Sequence, residues 1–151
     1  MLRQPGVKAG IESQQKKCRN IMIAFTIPLT AIKFSTNKLY AGVHWTQRKE
    51  YKDSTALIVR SCLRKQNVAK IDSYPVEILY RFIFETRVLD TLNTAGMAKC
   101  IEDSFRSFGL LADDDPRYVT RSILEVVARK TASKQKEDIV EIEITSLPYV
   151  K

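Results

Sequence analysis

Apolar residues recur along this chain with two periodicities, one typical of strands and one typical of helices. Four segments show the alternation, or the short β-branched run, that is expected of strands: residues 23–30, 75–85, 118–128 and 139–145. Residues 46–66 and 94–108 carry apolar side chains three and four positions apart, as in amphipathic helices. The predicted order is β-α-β-α-β-β. It indicates an α/β (α+β) two-layer sandwich in which two main helices cover a mixed sheet.

The strand at residues 75–85 has the clearest pattern. Its second face is also half apolar, which is expected of a central strand covered on both sides. Pro28 favours an edge position, or a strand end, for the first strand because proline lacks an N–H for the ladder. A short basic segment separates the last two strands, so we expect them to pair as an antiparallel hairpin.

The two helical segments have recognisable ends. Thr46 is expected to cap the first helix, and Asn93 or Thr94 the second. Gly109 is the expected stop of the second helix. Four residues of that helix form one apolar stripe that should face the core: Met97, Ile101, Phe105 and Phe108. Between the first strand and the first helix, residues 35–44 are predicted to form a loop.

The chain divides into a polar leader and one folded domain. Residues 1–21 are predicted to be a flexible basic tail, and residues 22–151 the domain. No apolar run approaches the roughly 20 residues that span a bilayer, and no signal-peptide pattern occurs, so we expect a cytoplasmic protein without a membrane segment. Cys18, Cys62 and Cys100 are expected to be reduced thiols, and a single histidine makes a zinc site improbable.

Charge gives the strongest signal of a partner. The chain carries 25 Lys and Arg against 17 Asp and Glu, a formal charge of +8. A basic domain attracts polyanions, of which nucleic acid is the most common. The basic residues are spread over three segments, whereas a cluster of Asp is confined to one turn. Nucleophilic hydrolase chemistry is poorly supported, because His44 is the only histidine and has no evident acid partner.

Polar residues flank the second predicted helix on both sides. Asp90 and Asn93 precede it, and Asp113, Asp114 and Asp115 follow it. A helix that lies back on a sheet can bring the two groups together, and converging carboxylates need a cation between them. Oxygen ligands favour Mg²⁺. Taken alone, the acidic turn is also compatible with a solvated loop.

Aromatic and basic residues alternate before and within the first helix. Tyr40, His44 and Trp45 combine ring surfaces with five candidate DNA contacts: Lys38, His44, Arg48, Lys49 and Lys52. This mixture suits phosphate contacts and stacking on unpaired bases. The alternative, favoured for Trp45, is that the rings pack under the following helix.

Asp90-x-x-Asn93, followed by Lys99, Asp103, Gly109 and Asp113-Asp114, resembles the active-site signature of the RusA family of Holliday junction endonucleases. The segment STNKLYAGVHWTQRKEYKD also resembles that family, through its Asn-x-x-Tyr, its His-Trp and its basic cluster. The family signature begins Asp-x-Asp-Asn, and here Leu92 stands in the place of the second Asp. Leu92 either projects towards the metal site or belongs to the core.

The resemblance implies a Mg²⁺-dependent endonuclease, with Mn²⁺ as a substitute, that resolves four-way DNA junctions as a homodimer in phage or prophage recombination and DNA repair. Asp90, Asp114 and Lys99 would be catalytic. The metal ligands would be Asp90, Asn93, Asp113 and Asp114. Because one carboxylate is missing, the alternative is a protein that binds junctions but cleaves them weakly or not at all.

Overall fold

Four strands form one mixed sheet, and two long helices cover one of its faces. The computed structural model of the chain describes residues 21–130, 132 and 134–148. The strands are β1 (Ile21–Pro28), β2 (Val76–Phe84), β3 (Val119–Ala128) and β4 (Ile139–Ser146). The helices are the short α1 (Thr36–Tyr40) and the long α2 (Trp45–Lys65) and α3 (Ala95–Ser107). A 3-10 turn, Leu92–Thr94, leads into α3. The predicted two-layer α/β sandwich is confirmed.

The sheet has the strand order β1-β4-β2-β3. β4 is antiparallel to both β1 and β2, and β3 is parallel to β2. β1 is therefore an edge strand and β2 an interior strand, as predicted. The predicted hairpin between β3 and β4 is wrong, because the two strands do not pair with each other. β3 pairs with one side of β2, and β4 pairs with the opposite side.

Burial and charge explain the central place of β4. Its residues Val140, Ile142 and Ile144 are each 0% exposed, since they face the helices between two neighbouring strands. On the other face, Arg81 of β2 forms ion pairs with Glu141 and Glu143, both at 3.2 Å. Alternation alone predicts the strand, but it does not identify Arg81 as the partner of its glutamates.

The core lies between the sheet and α2 and α3. Phe25 of β1 meets Phe105 of α3 edge to face, with ring centroids 5.6 Å apart. Tyr80 of β2 is completely buried, and its hydroxyl donates to Glu102 of α3 at 2.7 Å. That bond satisfies the polar end of a buried ring. Val59 and Cys62 of α2 complete the same cluster.

A buried carboxylate fixes the segment that leads from β2 to the candidate site. Asp138 is 5% exposed, and its Oδ1 accepts from the amides of Glu85 at 2.7 Å and Thr86 at 2.9 Å. Lys33 binds its Oδ2 at 2.7 Å and also donates to the carbonyl of Arg87. Burial raises the pKa of Asp138, but the bonds from Lys33 and Thr86 outweigh that effect and lower it to about 2.

Three local predictions need correction. Residues 35–44, expected to be a loop, contain α1, whose first turn is capped by Ser35 accepting from the Lys38 amide at 3.1 Å. The N-cap of α2 is His44 rather than Thr46. Phe108 lies beyond the end of α3 and is 37% exposed, whereas the other three residues of its predicted stripe are buried.

Some predictions concern residues outside the described ranges. These include residues 1–20 of the tail predicted for residues 1–21, and the state of Cys18; Ile21 is the first residue of β1. Cys62 and Cys100 are buried free thiols. Among the residues that the structure describes, no helix is both long enough and apolar enough to cross a membrane.

Candidate functional site

Lys99 and Arg106 of α3 bind the acidic turn that follows the helix. Lys99 Nζ lies 2.7 Å from Asp114 Oδ2 and 2.9 Å from Asp103 Oδ1. Arg106 Nη1 lies 3.2 Å from Asp114 Oδ1 and 3.5 Å from Asp113 Oδ1. Each oxygen of Asp114 therefore meets a cation. Lys99 and Asp103, four positions apart on α3, also form an ion pair, while Arg106 pairs with the turn.

Gly109 makes this return of the chain possible. Its φ is +74°, which side-chain-bearing residues rarely adopt, and it ends α3. The amide of Leu110 then donates to the carbonyl of Phe105 at 2.9 Å. Leu110 and Leu111 are buried, so the segment stays on the core and delivers Asp113 and Asp114 to the side of α3.

Charge fixes the protonation states in this cluster. The Lys99 ammonium lowers the pKa of Asp114 to about 2. In return, Asp114 and then Asp103 raise the pKa of Lys99 well above its ordinary value. Both groups are therefore charged throughout the physiological range, and the carboxylate cannot serve as a proton donor there.

Asp90 and Asn93 form a second, separate polar group. The Asn93 amide donates to Asp90 Oδ1 at 3.0 Å, and its side-chain Nδ2 donates to Oδ2 at 2.6 Å. These donors lower the pKa of Asp90. Asn93 Oδ1 in turn accepts from the Asn37 amide at 3.3 Å. Asp90 thus caps the 3-10 turn, and the side-chain oxygen of Asn93 ties that turn to α1.

Leu92 lies on the surface between these two residues. Its side chain is 81% exposed, the largest exposure among the large apolar residues of the described chain. The interpretation of Leu92 as a core residue is therefore wrong. A leucine side chain has no donor atom for a cation, so Leu92 adds no side-chain ligand beside Asp90 and Asn93.

The residues present do not complete a Mg²⁺ site. Within the described ranges, no group of three His, Cys, Asp or Glu is placed to hold a metal ion. Both oxygens of Asp114 and Oδ1 of Asp113 lie within reach of Lys99 or Arg106, and those of Asp90 accept from Asn93. The donor type suits a hard cation, but the Leu92 side chain adds no oxygen to the set.

No family model matches this chain, and no curated protein matches it significantly.

The five candidate DNA contacts have different roles in the fold. Lys38, Lys49 and Lys52 are exposed. Arg48 is partly buried, and its guanidinium donates twice to the Val43 carbonyl, at 3.3 and 3.2 Å, so it holds the loop before α2. His44 caps α2 by accepting from the Thr46 amide at 3.3 Å.

Lys52 and Lys99 belong to the same region of the surface. Burial raises the pKa of the Cys100 thiol, and the charges of Lys52 and then Lys99 oppose that shift. α2 and α3 pack against each other, so these two lysines lie on neighbouring helices.

Trp45 and Tyr40 do not pack under α2. Trp45 is 65% exposed and Tyr40 is 58% exposed, so the favoured packing interpretation of Trp45 is wrong. The ring of Trp45 lies 5.8 Å from the ring of His44, measured between centroids, at an angle of 38°. The ring that does pack here is Tyr51, whose centroid lies 5.0 Å from that of the Phe34 ring.

A second basic surface has no counterpart in the sequence interpretation. It is an open groove of about 550 Å³ between the ends of α2 and α3, lined in part by Arg60, Arg64, Lys70 and Phe108. Arg60 lies over the Phe108 ring, 5.6 Å from its centroid. The only indication of this groove in the sequence is that Arg60 and Arg64 fall outside the apolar stripe of α2.

Proposed function

We propose that this protein binds branched DNA, with the four-way junction as its preferred substrate, and that its metal-dependent cleavage is weakened or lost. The observation that carries this proposal is Leu92, 81% exposed beside Asp90 and Asn93, where the RusA-like signature has a carboxylate. A site that lacks one anionic ligand holds a hard cation less tightly. The basic surface around it does not depend on that ligand.

Charge supports DNA as the partner. The formal charge is +8, and the exposed Lys38, Lys49 and Lys52 lie on α1 and α2. These helices adjoin the segment that bears Asp90 and the cluster that contains Lys99. Phosphate contacts by such side chains make affinity fall with salt, in proportion to the number of phosphates neutralised.

A Mg²⁺- or Mn²⁺-dependent endonuclease is the second candidate. It is favoured by Asp90 and Asp114, whose pKa values are both lowered, so that both are anionic near neutral pH. Lys99 stands next to Asp114 and could contact a phosphate if that ion pair opened. A homodimer belongs to both proposals, because a four-way junction presents two equivalent strands and a two-fold dimer matches that symmetry.

A binding and cleavage assay with one labelled junction separates these proposals. Anisotropy in EDTA would compare a synthetic four-way junction with a linear duplex of the same sequence over a range of salt concentrations. We expect at least about tenfold preference for the junction, which is modest beside the specificity ratios of sequence-specific proteins, and affinity that falls with salt. Equal affinity for both DNAs, or no binding, would overturn the proposal. Light scattering with and without junction would test for the dimer.

The same complexes, supplied with Mg²⁺ or Mn²⁺, would be resolved on a denaturing gel. We expect little or no nicking. Efficient paired nicking at millimolar Mg²⁺ would establish the second candidate instead.

Two matched charge reversals locate the binding surface. Lys49→Glu changes the N-terminal part of α2, and Lys65→Glu makes the same change about 24 Å further along that helix. We expect Lys49→Glu to weaken junction binding more. An equal loss from both variants would contradict a surface centred on the N-terminal part of α2.

A further inference from the structure

Two exposed aromatic side chains flank the loop between α1 and α2. Trp45 is 65% exposed and Tyr40 is 58% exposed, although tryptophan usually buries most of its area. Exposing this much ring surface to water is unfavourable for an isolated chain. An exposed tryptophan within a basic region is therefore a candidate contact for a partner.

Hydrogen bonds hold the backbone on both sides of Trp45. It is the first residue of α2, and the His44 ring beside it is fixed because its Nδ1 accepts the Thr46 amide and lies 2.7 Å from the Thr46 hydroxyl. The Arg48 guanidinium holds the preceding loop through the Val43 carbonyl. The backbone that carries Trp45 is therefore fixed and loses little conformational freedom when a partner binds.

Basic residues continue from Trp45 along one stripe of α2. Lys49 and Lys52 follow Trp45 by four and seven positions, so all three share a face of the helix. α2 packs against α3, the helix that carries Lys99. The stripe therefore runs from an exposed ring to the candidate site. This combination of ring and phosphate-binding cations fits a nucleic-acid strand with an unstacked base.

We infer that Trp45, supported by the His44 ring, stacks on the exposed face of a base at the branch of a DNA junction, while Lys49 and Lys52 contact the phosphates of the strand leading to Lys99. This inference rests on the proposed DNA binding and adds the part of the DNA that the surface recognises. A base in continuous duplex is stacked on both faces and has none free for Trp45. The platform therefore selects branched or single-stranded DNA.

Trp45 is the only tryptophan in the sequence, so intrinsic fluorescence reports on this one ring. Metal-free protein would be titrated with a four-way junction, a single-stranded oligonucleotide and a linear duplex of matched sequence. Stacking on a base quenches indole emission. We expect strong quenching at saturation with the first two DNAs and little with the duplex. The fluorescent base analogue 2-aminopurine, placed at the branch and then in an arm, would report the contact from the DNA side.

Three variants separate stacking from general structure. Loss of one aromatic–base stack lowers affinity by about tenfold, so Trp45→Ala should weaken junction binding to that extent. Trp45→Phe keeps a ring and should retain most of the affinity. Leu57→Ala truncates an apolar side chain on the same helix with a similar exposure of 68%, and it should leave affinity unchanged. Melting temperatures of all three should match the wild type, because both positions are exposed.

The results distinguish a failure of the stacking inference from a failure of the proposed DNA binding. Junction binding with unchanged Trp45 emission, quenching by duplex equal to that by junction, or full affinity in Trp45→Ala would each overturn the stacking inference and leave DNA binding intact. Absence of binding to every DNA by the wild-type protein would overturn the proposed function, and the inference with it.

Discussion

The hydroxyl of Thr36 accepts a hydrogen bond from the amide of Gly96 at 2.9 Å, so α3 is capped by a residue 60 positions earlier in the chain. The same hydroxyl donates to the carbonyl of Asn93, 3.0 Å away. Thr94, which occupies the local cap position, makes no side-chain cap bond. The start of α1, after β1, and the 3-10 turn, after β2, are thereby joined at the candidate site.

Thr36→Val should lower the free energy of unfolding by about 1–2 kcal/mol, because the shape is kept while the capping oxygen is lost. Chemical denaturation measures the change. Thr36→Ser retains the hydroxyl and should lose much less. A larger loss in Thr36→Ser than in Thr36→Val would show that the threonine methyl group, rather than the hydrogen bonds, is what matters.

Leu92→Asp should fold as well as the wild type, because a side chain that is 81% exposed leaves the new carboxylate in water. It should also gain affinity for Mn²⁺ and Mg²⁺, since it adds an anionic oxygen beside Asp90. Calorimetric titration with Mn²⁺ and junction nicking measure the gain. Leu92→Asn is the matched control, with the same shape and no charge. A variant that melts normally but binds no metal would argue against the family-like placement of this position.

Asp114→Asn should abolish any residual metal-dependent cleavage while changing junction affinity only a few-fold. It removes one anionic ligand but no basic contact. Stability should change by less than about 1 kcal/mol, because the partners Lys99 and Arg106 are more than half exposed and such pairs contribute little. Asp115→Asn is the comparison: that carboxylate binds Arg117 at 2.7 Å. Cleavage that survives in Asp114→Asn, or is lost equally in Asp115→Asn, would contradict the assigned roles.

Asp138→Asn should lower the free energy of unfolding by about 3 kcal/mol at neutral pH, because it leaves Lys33 charged and largely enclosed without its counter-ion. Urea denaturation measures this. A loss below 1 kcal/mol would mean that Lys33 finds an alternative partner.

Acid should remove this contribution in the wild-type protein. The pKa of Asp138 is about 2 in the folded state against an ordinary 3.8, so the unfolded chain binds the proton first. The stabilisation is therefore complete above about pH 4 and is lost as the pH falls towards 2. The difference between the wild type and Asp138→Asn should shrink across that interval. A difference independent of pH would assign the effect to shape instead of charge.

Local sequence patterns predict most elements but not their neighbours. The alternation around Ile142 predicts a strand, yet its insertion between β1 and β2 depends on Arg81 and on distant apolar partners. The Lys99–Asp103 pair follows from helical spacing, whereas the contact of Lys99 with Asp114 requires the reversal at Gly109. Exposure was hardest to predict for Leu92 and Trp45. Both side chains are apolar and lie beside helices, and only the assembled fold shows that nothing covers them.

The central position of β4 sets the order in which the sheet can be assembled. Among the described strands, β1 pairs with β4 alone, and β4 is the last of them to be synthesised. Until then, β1 and the β2–β3 pair have no strand between them. The nascent chain therefore cannot complete this core before β4 is made. Any premature stop before Ile139 would leave β1 without a strand partner and produce a fragment prone to aggregate.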